Sequence, residues 1–266
     1  MEKNIDELKK NFLGMDCLFI TAGPSLKKLS KERVKELAKG KVVIAVKQAI
    51  NFIPEIVDIH ILNDSNYQIY DYEGMKKNLK VILLKSGSKL SFTPKCNPFI
   101  EYIIDKRTIN WDSSLANTRD FKGNESLYNY TRTYGPGIMY ELGIFLPLLF
   151  NSNSVIFVSW DLGSKNSNVI ERFYEENTLY EKFKKFLIEK NIGLYNRYLI
   201  RIENLIRIHL YYIGFNVKLG IPVVTINEAN QIADSTYYLS KYYSQNNIEH
   251  CVYSGSSMLS SEFTRI

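Results

Sequence analysis

The chain has 266 residues, 45% of them apolar, a formal net charge of +6 at pH 7 and three cysteines. A chain of this size can bury one large core, so one domain, or one domain with a small lid, is expected rather than two equal halves. No run of about 18 apolar residues occurs, which excludes a spanning helix, and Cys17, Cys96 and Cys251 are too dispersed for a zinc site or a disulfide framework, so they read as reduced, mostly packed thiols.

The first segment, MEKNIDELKKNF, is charged and helix-like and does not resemble a secretion signal, which predicts a cytoplasmic protein. Residues 18–21 then form an apolar strand that runs into Ala22-Gly23-Pro24-Ser25 and a helical stretch over residues 27–39. Gly23 permits close approach of a backbone, Pro24 suits a first helical turn and Ser25 adds a hydroxyl. With the free amides of the helix that follows, this turn predicts a phosphate site. Lys41–Val46 (KVVIAV) is a second strand, followed by Lys47-Gln48 and a short helix to Phe52. Residues 56–62 make a third strand ending in Asn63-Asp64-Ser65; residues 80–84 and 100–104 are a fourth and a fifth. Past Gly137, IMYELGIFLPLLF predicts a long apolar helix. Residues 154–159 then form a strand ending in Trp160-Asp161-Leu162-Gly163, and residues 221–226 a last one ending in Asn227-Glu228.

Apolar strands that alternate with helices predict a parallel sheet covered on both faces, a doubly wound, Rossmann-like α/β fold. In such a sheet the polar residues after each strand collect along one edge, where open α/β folds bind ligands. Thr21-Ala22-Gly23, Lys47-Gln48, Asn63-Asp64-Ser65, Trp160-Asp161 and Asn227 all stand at such ends. Five in succession point to a shared cleft. The charged, aromatic stretch over residues 164–198 breaks helical periodicity and reads as a lid or acceptor-binding insert, leaving 1–163 and 199–266 as the nucleotide-binding domain. Of the histidines, His209 lies where Ile202, Leu205, Ile206, Leu210 and Ile213 recur at helical spacing, which predicts a packed side chain. His60 reads as core or next to the cleft, and His250 lies among polar residues near the C-terminus.

TAGPSL after the first strand, a polar pair after the second, NDS after the third, a Gly-rich turn into an apolar helix and an Asp-containing turn after the central strand together resemble bacterial sialyltransferases of glycosyltransferase family 42. They also resemble the wider superfamily of domain-of-unknown-function 115 proteins. The resemblance runs from Leu18 to Gly163 and more weakly to Asn227. It implies a single-domain GT-A-like variant of the Rossmann-like sheet with a small helical lid. By it, Thr21, Ala22, Gly23, Pro24 and Ser25 border the nucleotide phosphates, Lys47, Gln48, Asn63, Asp64 and Ser65 the base and ribose, and Asn227 closes over the nucleotide. Arg132, in the turn with Gly135, Pro136 and Gly137, would lie near the sugar carboxylate or acceptor; Asp161 would share the catalytic site, and Tyr174 and Tyr180 of the lid would donate to the leaving phosphate. Two departures stand out: Ala22 replaces the family's Asn, and the family's histidine general base has only His209 in its interval, so the base is unassigned.

The resemblance implies a transferase that moves an acidic, CMP-activated sugar onto a glycolipid or surface-glycan precursor, as in lipopolysaccharide biosynthesis, with no metal or other cofactor. It also raises a homo-oligomer and contact with the inner membrane face, for which the positive charge is suited. Two other readings fit the same motifs. One is an ATP-dependent pyrophosphokinase acting on a pterin, which needs Mg²⁺ on Asp64 and Asp161; the other is a nucleotide-binding domain without catalysis. The lysines are scattered in pairs with no recognition motif, so nucleic acid is not an expected partner.

Overall fold

The computed structural model describes residues 5–63, 78–85, 102–105, 142–162, 226–255 and 258–266, with residues 70, 72, 75, 139, 206, 209, 210 and 213 between them. Its frame is one sheet of eight strands: β1 (Asp16–Ile20), β2 (Lys41–Val46), β3 (Ile59–Asn63), β4 (Lys80–Lys85), β5 (Tyr102–Asp105), β6 (Ser154–Trp160), β7 (Glu249–Gly255) and β8 (Thr264–Arg265). The spatial order is β5-β4-β3-β2-β1-β6-β7-β8, and every neighbouring pair is parallel. From β1 the chain steps outward through β2 to β5, then returns to the other flank of β1 with β6 and steps outward again. The order therefore reverses between β1 and β6, which is the switch point of a doubly wound fold.

Both faces of this sheet are covered, and the alternation within β1 shows how. Cys17 and Phe19 face a cluster that includes Leu8 of α1 (Ile5–Phe12), Leu146 of α3 (Leu146–Leu149) and Leu239 and Tyr243 of α4 (Ile226–Gln245). Leu18 and Ile20 face a second cluster with Leu26, Val34 of α2 (Lys31–Ala38), Ile50 and Ile53. A strand buried on both sides has no polar alternation, which is why β1, β2 and β6 read as continuous apolar runs. Phe157 is the aromatic centre of the first cluster. Its ring lies 5.3 Å from that of Phe19, 4.7 Å from Trp160 and 6.0 Å from Phe263.

Carboxylates fix the amino ends of the strands. Asp16 Oδ1 accepts from the amides of Asn153 (3.0 Å) and Ser154 (2.8 Å), holding the starts of β1 and β6 level, and Asp58 Oδ2 accepts from Val43 N at 2.9 Å.

Several expected elements differ. The helix predicted over residues 27–39 is two pieces, a five-residue 3-10 turn (Pro24–Lys28) and α2, because the Ser30 hydroxyl accepts from Arg33 N at 3.1 Å and so starts the helix at Lys31. The long apolar helix after Gly137 is interrupted: a 3-10 turn (Gly143–Phe145) precedes α3, where Leu142 leaves the helical region and Pro147 removes a donor. Ile226 does not end a strand but opens α4, so Asn227 stands in the first turn of a helix; residues 221–225 lie outside the described residues. β7 and β8 have no counterpart among the predicted strands. Cys17 is buried and hydrogen-bonded at 3.4 Å to Ser152 Oγ, and burial pushes its thiol up to about 12; Cys251 is half-buried, and both are free. Of the stripe around His209, Ile206 is 54% and Ile213 70% exposed, His209 is exposed with them and Leu210 is half-buried; Ile202 and Leu205 lie outside the described residues.

Candidate functional site

At the carboxyl edge of the switch point, the loop after β1 is pinned to the end of β6. Thr21 N donates to Val158 O at 3.0 Å. Its buried hydroxyl reaches the carbonyls of Val158 (3.1 Å) and Ser159 (2.5 Å). Gly23 follows in extended conformation (φ −67°), which any residue could adopt, so its backbone angles do not require glycine. Space does. A methyl group at Gly23 would overlap the Ser159 carbonyl oxygen and the Asp161 carboxylate. Pro24 then opens the 3-10 turn without an unpaired N–H, and Ser25 N donates to Asp161 Oδ2 at 2.8 Å.

The end of β6 has its own irregularity. Ser159 is fully buried with φ +58°, a left-handed conformation that costs a non-glycine residue about 1–2 kcal/mol. Opposite it in β7, between the paired positions Val158↔Tyr253 and Trp160↔Gly255, Ser254 has φ +53°. This paired kink puts Phe157 and Trp160 in the same core cluster, although strict alternation would separate residues three apart. Asp161 N then donates to Ser159 O at 2.9 Å, a tight turn that directs the carboxylate back toward Ser25. The hydroxyl oxygens of Ser25 and Ser159 are both buried and have no hydrogen-bond partner among the described residues. Each is a costly state for a hydroxyl, on the order of 1–3 kcal/mol.

Of the residues singled out in the sequence, the switch point brings together Thr21, Ala22, Gly23, Pro24, Ser25 and Asp161. Lys47 and Gln48 stand at the end of β2, on the flank of β1 away from β6. Gln48 is buried, and Lys47 has φ +49°. Asn63 ends β3, a further strand out. Asp64, Ser65, Arg132, Gly135, Pro136, Gly137, Tyr174 and Tyr180, with the whole 164–198 insert, lie outside the described residues. The turn after Gly23 is a five-residue 3-10 helix, and its Ser25 amide is bonded to the Asp161 carboxylate. Ser159 escapes a reading of the sequence because nothing in SVIFVSW marks its serine as other than a polar strand residue.

Two histidines are committed to the framework. His60 is fully buried; its Nε2 donates to Lys47 O at 2.7 Å, so Nδ1 accepts from Tyr72 Oη at 2.6 Å. Burial pushes its pKa down to about 3, against a smaller upward effect of the Lys47 carbonyl, so the ring is neutral. His250 Nδ1 donates to Ile248 O at 2.9 Å and Nε2 accepts from Ser240 Oγ at 2.6 Å. Among the described residues no three His, Cys, Asp or Glu side chains gather as a metal centre.

No protein-family model and no curated protein matches the chain. Among solved structures it is similar to a MAf glycosyltransferase from Magnetospirillum magneticum AMB-1, at 17% identity and a TM-score of 0.34, over 68% of this chain. The match takes in 30% of that protein's chain, so this chain spans under a third of its neighbour's length.

Two outcomes follow from this geometry. Gly23→Ala forces the turn off β6 and lowers unfolding stability by about 1–3 kcal/mol in urea titration; an unchanged midpoint would mean that the turn does not lie against Ser159 and Asp161. For His60 the folded pKa lies below the unfolded value of 6.5, so the unfolded chain takes up the proton first. Stability is then full above pH 6.5 and falls between pH 6.5 and about 3, by up to ~1.4 kcal/mol per pH unit. Wild type therefore loses more stability than His60→Gln between pH 7 and pH 5; equal losses would show that His60 is not held neutral.

Proposed function

We propose that the protein is a glycosyltransferase that holds a nucleotide-activated sugar across the β1/β6 switch point and transfers the sugar to a glycan or glycolipid acceptor. The observation that carries this reading is the Gly23 turn lying against Ser159 and Asp161 at the one place where the strand order reverses. The resemblance to family 42 supports CMP as the nucleotide and an acidic sugar as its cargo. In the reaction the acceptor hydroxyl oxygen bonds to the anomeric carbon as the bond from that carbon to the CMP phosphate oxygen breaks, the electron pair leaving with CMP. The acceptor's proton goes to a base outside the hydrogen-bonded His60 and His250. No helix among the described residues is long and apolar enough to cross a membrane. A glycolipid acceptor would be reached from an anionic leaflet, toward which a net charge of +6 draws the protein.

A thermal-shift comparison of CMP, CDP, UDP and ATP, each with and without Mg²⁺, tests this reading. CMP is expected to stabilise without metal, by about 2.7 kcal/mol at a hundred-fold excess over its Kd. Stabilisation by ATP with Mg²⁺ and none by CMP would favour a pyrophosphokinase instead.

A further inference from the structure

The net positive charge of the chain is concentrated on one layer of the fold, and we infer that the outer face of α2, with the 3-10 turn before it, docks the protein on an anionic lipid leaflet. This rests on the proposed transferase reading and deepens it, because it selects the face by which a glycolipid acceptor is approached.

Residues 27–41 hold seven basic side chains against two acidic ones, so 15 of 266 residues carry +5 of a net charge of +6. Val34, with Leu37 and Ala38, forms the inner stripe of α2 and packs on the second cluster. Lys31, Arg33 and Lys35 are therefore left exposed on its outer side, with Lys39 at its C-cap and Lys27 and Lys28 on the turn. Three acidic groups reach this face without cancelling it. Glu36 pairs with Arg33 at 2.9 Å and Glu55, from the 3-10 turn Pro54–Ile56, with Lys35 at 3.0 Å; these side chains are about half exposed, so water screens the attraction. Glu32 accepts from the Ser30 hydroxyl at 3.2 Å. Seven basic groups against these three leave +4. The large exposed apolar side chains among the described residues all lie elsewhere, so the contact is electrostatic rather than inserted. Nucleic acid is served less well by this face. Its one arginine is engaged with Glu36, and the neighbouring aromatic rings are covered by cations, Phe52 by Lys31 Nζ at 5.9 Å and Tyr253 by Arg33 Cζ at 5.6 Å, which takes away the surfaces on which bases stack. Lysines, compact charges on flexible stems, suit a leaflet whose charge is diffuse. The patch starts four residues past Gly23, so docking by it brings the carboxyl edge at the switch point beside the leaflet.

The experiment is sedimentation with vesicles of phosphatidylcholine, alone or with about one-third phosphatidylglycerol to supply an anionic surface, at low and at high salt. Wild type pellets with the anionic vesicles at low salt and is released at high salt. Lys28→Gln/Lys31→Gln/Lys39→Gln takes three charges from the face and lowers partition about a hundred-fold, at roughly five-fold per basic residue. Lys28→Glu alone, outside α2, reverses one charge and lowers partition about twenty-fold. Lys9→Gln/Lys10→Gln/Lys241→Gln takes as many charges as the first triple from α1 and α4 on the opposite layer, and lowers partition by no more than about five-fold. The substituted side chains are exposed or, at Lys9, half-buried, so the unfolding midpoints stay at the wild-type value. The inference is overturned if wild type stays in solution with anionic vesicles, if both triples lose partition equally, or if pelleting persists at high salt. It is also overturned if a DNA duplex at equal phosphate concentration strips wild type from the vesicles, which would assign the face to nucleic acid. A thermal shift with CMP, run in parallel, separates the two readings: stabilisation by CMP without vesicle binding overturns the docking face alone, and vesicle binding without a CMP effect supports the face and contradicts the transferase.

Discussion

Everything distinctive about this molecule depends on one close contact, the approach of the Gly23 backbone to the end of β6. The strand order reverses between β1 and β6, so the connections after these two neighbours lead to opposite flanks of the sheet. A hydrogen in place of a side chain lets the loop after β1 lie on the Ser159 carbonyl and the Asp161 carboxylate. The Thr21 hydroxyl and the Ser25 amide then tie the loop down from both sides of the contact. The hydroxyls of Ser25 and Ser159, one on each side of this contact, are both buried without a hydrogen-bond partner among the described residues.

The opposite edge shows the contrast. There Asp16 and Asp58 accept from backbone amides at the starts of their strands, and their carboxylates are absorbed in holding register. Positive φ occurs at both edges: Asn151 and Asn247 precede β6 and β7, while Lys47, Ser159 and Ser254 end or approach the ends of β2, β6 and β7. Strain of this kind costs about 1–3 kcal/mol per residue and persists where surrounding packing over-determines the chain. Phe157, Trp160 and Phe263 supply that packing beneath the β6 kink.

Much of this frame is legible in the sequence. β-Branched runs such as KVVIAV and SVIFVSW announce strands buried on both faces, and the turn residues Gly23 and Asp161 stand out from the chain's own punctuation. What the sequence conceals has physical causes. β7 begins Glu-His-Cys, since Glu249 and His250 lie at the amino end of a strand near the sheet margin, and so lacks an apolar signature. The amphipathic spacing around His209 predicts packing, but Ile206 and Ile213 face outward. Sequence order also cannot show that Asp161, far along the chain, takes the Ser25 amide of the Gly-Pro-Ser turn. The Ser30 cap that shortens the helix behind that turn is a purely local signal, and the apolar spacing on either side of it hides the break.

The central claim is that a nucleotide sits at the β1/β6 switch point. The most direct measurement is a crystal structure of the protein with CMP bound. It should show CMP at the carboxyl edge of the sheet, against the loop after β1 and the end of β6. CMP bound at another edge of the sheet would contradict the account.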